Sequence, residues 1–126
     1  MDTEYSRFAS LDEFVWPMIE GVNASIIPSK NNTMDFFYLY DTAIDEMELL
    51  SADKSSVFRC SYDKNIFPYQ WYFASYEKFL DHYSAILEPC TAMTINVNDA
   101  IKLNQCSVLK PNEELNTVVK IYAGPH

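Results

Sequence analysis

Glycine, histidine and cysteine are scarce in this chain, which has two, two and three of them among 126 residues. The cysteines (Cys60, Cys90 and Cys106) form no Cys-x-x-Cys pair, so the sequence argues against a zinc site or redox pair and favours buried free thiols. No run approaches the roughly 18 uninterrupted apolar residues of a membrane span. The first residues lack the basic and apolar segments of a signal peptide, and we therefore expect a cytoplasmic protein.

Positive charge is scarce as well. Nine Lys and Arg residues stand against eighteen Asp and Glu residues, which gives a formal net charge of −9. A protein that grips nucleic acid neutralises several phosphates with Lys and Arg, and this chain has no local run of them. The same repulsion disfavours anionic membranes. We therefore expect no nucleic-acid or membrane partner, and instead a neutral small molecule or another protein.

Apolar and aromatic residues, in contrast, are abundant. They make up 48% and 15% of the chain and are spread along its whole length, which predicts one globular domain over residues 1–126. Short β-prone stretches recur about every ten residues, the spacing of a sandwich or barrel. Strands are predicted at residues 24–28, 36–40, 47–51, 57–62, 69–75, 84–88, 105–109 and 115–123.

Two short helical segments complete the prediction of an all-β sandwich with one or two helices. One covers residues 97–103, with Asn96 or Asn98 as its cap. The other is a turn with capping-box spacing at residues 10–13. With so few glycines, the turns must rely on Asn, Asp, Ser and Pro, and residues 110–113 (Lys-Pro-Asn-Glu) are the best example.

Residues 66–73, Ile-Phe-Pro-Tyr-Gln-Trp-Tyr-Phe, form the densest aromatic run. In a strand, alternation puts Tyr69, Trp71 and Phe73 on one face and Tyr72 on the other. Exposed aromatic faces stack on the apolar faces of sugar rings, whereas ordinary core packing is the alternative for so dense a run. Trp71 is the best candidate for a ligand-binding side chain.

Glu88 lies in a second apolar segment, Ala-Ile-Leu-Glu-Pro-Cys at residues 85–90. A carboxylate there lines a cleft, is satisfied by internal hydrogen bonds, or sits on a solvated strand edge. In a cleft it is a candidate general base near neutral pH.

The order and spacing of several motifs carry a resemblance to a known family. The motifs are Phe-Val-Trp-Pro at 14–17, Asp-Phe-Phe-Tyr-Leu at 35–39, Phe-Pro-Tyr-x-Trp at 67–71, Ile-Leu-Glu-Pro at 86–89, the helical segment 97–103, Gln-Cys-Ser-Val-Leu at 105–109, Pro-x-Glu at 111–113 and Ile-Tyr at 121–122. With these motifs the chain resembles the C-terminal portion of the aldose 1-epimerase (galactose mutarotase-like) superfamily. No single motif is specific, but together they cover nearly the whole chain.

The resemblance implies a β-supersandwich that binds a free sugar and interconverts its anomers by acid–base catalysis. In that family a glutamate removes the proton of the anomeric hydroxyl while a histidine protonates the ring oxygen. Glu88 matches the glutamate, and Trp71, Tyr69 and Phe73 would form the sugar-binding face. The resemblance implies no metal and no organic cofactor.

The family's histidine lies in a His-Pro-Tyr-type motif that this sequence lacks. The two histidines here, His82 and His126, stand in other contexts, and His82 is expected to be a loop residue before a strand. Because the chain resembles only the C-terminal portion of the family's sandwich, strand edges and an apolar face would be left uncovered. We therefore expect a homo-oligomer or a partner chain. Two functions remain open: a mutarotase with Glu88 as base, or a non-catalytic carbohydrate-binding or assembly module.

Two charged features have simpler interpretations. The acidic residues Asp41, Asp45, Glu46 and Glu48 fit no Ca²⁺ loop and are predicted to form a solvated loop. Arg59 could hold a sugar phosphate, but an ion pair within the protein is the favoured interpretation.

Overall fold

The computed structural model describes residues 6–9 and 13–126. It contains eight strands and one helix within that part of the chain. They are β1 (Met18–Ile19), β2 (Val22–Asn23), β3 (Thr33–Leu39), β4 (Glu46–Leu50), β5 (Ser56–Ser61), β6 (Tyr69–Tyr76), β7 (Tyr83–Cys90), α1 (Val97–Lys102) and β8 (Lys120–Pro125). Most of the turn predicted at residues 10–13 lies outside the described residues.

The strands form three antiparallel sheets, which confirms the predicted all-β, sandwich-like fold class. Their strand orders are β1-β2, β3-β6-β7 and β4-β5-β8. Within the described residues, no helix is both long enough and apolar enough to cross a membrane. The chain divides into two compact units, one of Met1–Leu39 with Tyr72–Ile86 and one of Tyr40–Trp71 with Leu87–His126.

In the first unit, β3 and β6 bury one face each. Phe37 and Tyr72 lie on these faces and stack with ring centroids 4.9 Å apart, and Phe14 meets Phe37 edge-on at 5.6 Å. Their neighbours on the same faces are Asp35 and Tyr76, which are almost completely buried. Most alternate residues of these strands are only half-buried, as the period of two requires, and Ser75 is the buried exception.

In the second unit, the core lies between β4, β5 and the end of β7. Met47, Cys60 and Tyr62 are buried together, and Phe67 and Leu87 pack against them. Met47 and Cys60 are direct partners in the antiparallel pairing of β4 with β5, so both side chains project from the same face of the sheet.

Three predicted stretches of strand are wrong. Residues 24–28 turn instead, because the Asn23 side chain accepts hydrogen bonds from the N–H and hydroxyl of Ser25 just after β2. Residues 105–109 make a single β-bridge, between Cys106 and Ala92. Residues 115–119 are not in a strand, since β5 is the one partner of β8 in the described part of the chain and that pairing ends where Ser61 meets Lys120.

The predicted turn chemistry is confirmed at residues 110–113. The N–H of Glu113 donates to the carbonyl of Lys110 at 3.0 Å, and Asn112 has a φ of 65°. Five of the nine non-glycine residues with positive φ in the described chain are Asn or Asp, the types that tolerate this conformation best. Asn96 caps α1, its side chain accepting from the N–H of Asn98.

Candidate functional site

A groove of about 440 Å³ opens in the second unit where β6 begins and β7 ends. The segment that leads from β7 into α1 forms its other wall. The nine side chains that line it are uncharged or thiol-bearing: Phe67, Trp71, Pro89, Cys90, Thr91, Ala92, Thr94, Ile95 and Val97.

Trp71 is held in one orientation at this groove. Its indole Nε1–H donates to the carbonyl oxygen of Ala92 at 2.7 Å, a bond between β6 and the opposite wall. The side chain is half-buried and contributes to the lining. A fixed, partly exposed indole ring is a surface on which a flat apolar group can stack at little entropic cost.

The wall opposite Trp71 owes its position to a few backbone and side-chain bonds. The N–H of Met93 donates to the carbonyl of Gln105 at 3.0 Å, and the N–H of Ser107 donates to that of Thr91 at 3.1 Å. The Thr94 hydroxyl then donates to the carbonyl of Asn96, the cap of α1. Bonds to Gln105 and Ser107 therefore hold residues 91 and 93, and a bond to the helix cap holds residue 94.

The structure brings Glu88 close to the groove but not into its lining. Leu87 packs into the core of the second unit, so Glu88 projects from the opposite face of β7, the face it shares with Cys90. The proximity of Glu88 and Cys90 is also visible electrostatically. Burial raises the pKa of the Cys90 thiol to about 11, and the negative charge of Glu88 contributes to that rise. The thiol is therefore neutral at pH 7.

The other two residues predicted to bind sugar lie elsewhere. Tyr69 is half-buried on the same face of β6 as Trp71, but it does not line the groove. Phe73 belongs to the first unit, where it packs against Phe36 with ring centroids 6.2 Å apart. The predicted alternation along β6 is confirmed, since Tyr69, Trp71 and Phe73 are half-buried and Tyr72 is buried.

Both histidines lie in connecting or terminal backbone. His82 precedes β7 directly, as predicted, and its N–H and carbonyl bond to the backbone of Phe79 and Glu77. His126 follows β8 and donates its N–H to the carbonyl of Ser55 at 3.0 Å.

Arg59 forms the predicted ion pair. Its guanidinium lies 2.6 Å from Glu48 and 3.1 Å from Glu46, both on the neighbouring strand β4. The predicted solvated loop is therefore wrong for Glu46 and Glu48, which lie in β4 and pair with Arg59 across the sheet. Across residues 6–9 and 13–126, no group of three or more His, Cys, Asp or Glu side chains could hold a metal ion.

The three cysteines are free. Cys60 is buried as predicted, and burial raises the pKa of its thiol. Cys90 and Cys106 are only half-buried.

Sequence reasoning missed a buried polar network in the first unit. Asp35 is fully buried and accepts hydrogen bonds from Arg7 Nε at 2.9 and 3.0 Å, from the Arg7 guanidinium Nη2 and from the Tyr76 hydroxyl at 2.8 Å. The Tyr76 hydroxyl in turn meets that of Tyr72 at 3.0 Å. Burial raises the pKa of Tyr76, which stays protonated as the donor. Every partner is satisfied, so this network fits a structural role.

Comparisons of the chain with protein-family models, with curated proteins and with solved structures gave no match.

Proposed function

We propose that this chain is a non-catalytic carbohydrate-binding module and that its groove holds a neutral sugar against Trp71. The observation that carries the proposal is the fixed indole on the wall of an uncharged groove. Its volume of about 440 Å³ lies within the range of ligand pockets, about 300–1,000 Å³. The apolar face of a pyranose can stack on the ring while its hydroxyls reach Thr91 and Thr94.

The charge of the groove narrows the ligand class. Its only titratable lining group is the Cys90 thiol, which is neutral at pH 7 because its pKa is raised to about 11. Glu88 stands beside it, and the chain as a whole carries a net charge of −9. A phosphorylated or otherwise anionic sugar would meet repulsion, and none of the nine described lining residues is a cation. A neutral sugar is therefore the favoured ligand.

The test is a fluorescence titration. Trp16 and Trp71 are the only tryptophans, so a Trp16→Phe protein reports on Trp71 alone. We expect its emission to change on titration with galactose or glucose, and not with glucose 6-phosphate. Trp71→Phe, in a protein that retains Trp16, should keep the fold and weaken binding measured by calorimetry. An unresponsive Trp71 together with unfolding of Trp71→Ala would instead identify it as a core residue.

A second candidate function is a mutarotase-like isomerase with Glu88 as general base. The position of Glu88 next to Cys90, at the edge of the groove, favours it. The resemblance of residues 86–89 to the aldose 1-epimerase superfamily supports the same role. A single positioned base is worth about 10²–10⁴-fold, so the chain alone would accelerate mutarotation weakly. NMR exchange between the anomers measures it, and Glu88→Gln should abolish it.

We also propose that a second copy of the chain covers an exposed apolar face of the β4-β5-β8 sheet. Pairing places Ile121 on the same face as the buried Cys60 and Met47, yet Ile121 is 66% exposed. Phe58, on that face too, is 37% exposed. Because β8 is an edge strand, two copies can also pair their edges antiparallel about a two-fold axis.

Sedimentation at micromolar concentration tests this assembly. We expect a dimer that Ile121→Ser weakens. Val118→Ser is the matched control, because Val118 is 70% exposed but precedes β8. A compact monomer at every concentration would contradict the proposal.

A further inference from the structure

The groove continues onto an exposed apolar rim. Ile95 and Val97 line the groove, yet they are 66% and 62% exposed. Ile101 lies one turn after Val97 on the same face of α1 and is 55% exposed. We call these three side chains the apolar rim.

A sugar alone does not account for this rim. The hydroxyls of a pyranose stay solvated and gain nothing from contact with isoleucine and valine side chains. Thr91 and Thr94 line the groove together with Trp71. The site thus has a part suited to a sugar ring and, next to it, a part suited only to hydrocarbon.

We propose that the natural ligand class is a neutral glycoside with an apolar aglycone, an alkyl or aryl group. The sugar ring lies on Trp71 and the aglycone covers the apolar rim. This inference rests on the proposed carbohydrate-binding function. An anionic amphiphile is disfavoured because Glu88 flanks the groove and its nine lining residues include no cation.

The size of the effect follows from apolar burial. Each methylene removed from water strengthens binding about fourfold. If two or three methylenes of an alkyl chain reach the rim, a hexyl glycoside should bind at least tenfold more tightly than the methyl glycoside of the same sugar.

The experiment titrates the Trp16→Phe protein with methyl and hexyl β-glucosides and β-galactosides, and with 1-hexanol. The variants are Ile95→Thr and Val97→Thr, which shorten or polarise the rim with little change in shape. Val118→Thr is the matched control, a similarly exposed valine of the same unit that does not line the groove.

We expect hexyl glycosides to bind at least tenfold more tightly than methyl glycosides. We expect Ile95→Thr and Val97→Thr to reduce that ratio and Val118→Thr to leave it unchanged. Equal affinity for methyl and hexyl glycosides would overturn this inference and leave the proposed function standing. Hexanol binding as tightly as the hexyl glycosides, or no binding by any glycoside, would overturn both.

Discussion

The ion pair between Arg7 and Asp35 provides the sharpest test of the energetics of the first unit. Asp35 is completely buried, and the Arg7 side chain is only 12% exposed. Replacing Arg7 by Met keeps the apolar stem but removes the guanidinium. The Asp35 carboxylate then retains the Tyr76 hydroxyl as a donor and loses its counter-charge.

The expected cost is large because a buried charge is left uncompensated. Breaking a buried pair from one side costs about 3–5 kcal/mol. For a chain of this length that lowers Tm by roughly 10–20 °C. Arg7→Lys keeps the charge but not the two-nitrogen contact with the carboxylate, so it should cost about 1–3 kcal/mol. Combining Arg7→Met with Asp35→Leu should recover much of the loss, because both charges are then gone.

Urea unfolding followed by tryptophan fluorescence and circular dichroism measures these differences. Arg59→Met is the matched control, since Arg59 pairs with Glu48 at the protein surface and should shift the transition far less. If Arg7→Met does not fold, Arg7→Lys and the double variant still decide the question. Equal costs for Arg7→Met and Arg59→Met, or a double variant no more stable than Arg7→Met, would refute the reasoning.

Three further predictions concern a turn, the groove and acid stability. Leu80 and Asp81 both have positive φ in the turn before β7, and Leu80 is 75% exposed, so Leu80→Asn should stabilise the protein by about 0.5–1 kcal/mol in urea unfolding. A loss of stability would show that the leucine packs. Glu88→Gln should lower the pKa of Cys90 below about 11, because it removes one of the two causes of the rise. The pH dependence of alkylation, with the other cysteines changed to serine, measures the pKa of Cys90. An unchanged profile would show that the Glu88 charge does not act on the Cys90 thiol in the groove. Hydrogen bonds from Ser51 and Ser55 lower the pKa of Asp53 from 3.8 to about 2. Its contribution to stability is thus present above pH 4 and lost as the pH falls through 2, and an NMR titration midpoint near 4 would contradict this.

The strands that sequence patterns located well are those with a neighbouring strand in a sheet. The aromatic alternation from Tyr69 to Phe73 and the apolar segment around Leu87 both have neighbours in a sheet. Residues 115–119 have equally strong β propensity but remain outside a strand, because β5 ends at Ser61. Propensity is a local property, whereas the end of a strand depends on its partner.

In the candidate site, too, local sequence patterns located some residues, whereas others depend on distant contacts. Glu88 and Trp71 stood out in the sequence, since each is an unusual residue in a regular pattern. The wall formed by residues 91–97 did not, because its position depends on bonds to Gln105 and Ser107 that no local pattern encodes. The Arg7–Asp35 pair joins residues 28 positions apart and is likewise invisible in the sequence. The resemblance to the aldose 1-epimerase superfamily stays a prediction.

Both candidate functions and the inferred ligand class involve the same groove, so a ligand that occupies the groove can be used to test one against the other. An alkyl glycoside has no free anomeric hydroxyl, so Glu88 could remove no proton from it and the ring would stay closed. If the chain accelerates mutarotation in the groove beside Trp71, hexyl glucoside must therefore inhibit it competitively. Val97→Thr should weaken that inhibition, because Val97 belongs to the apolar rim that the hexyl chain would cover. If saturating hexyl glucoside fails to inhibit mutarotation, the reaction takes place outside this groove, and Glu88 is not its general base there.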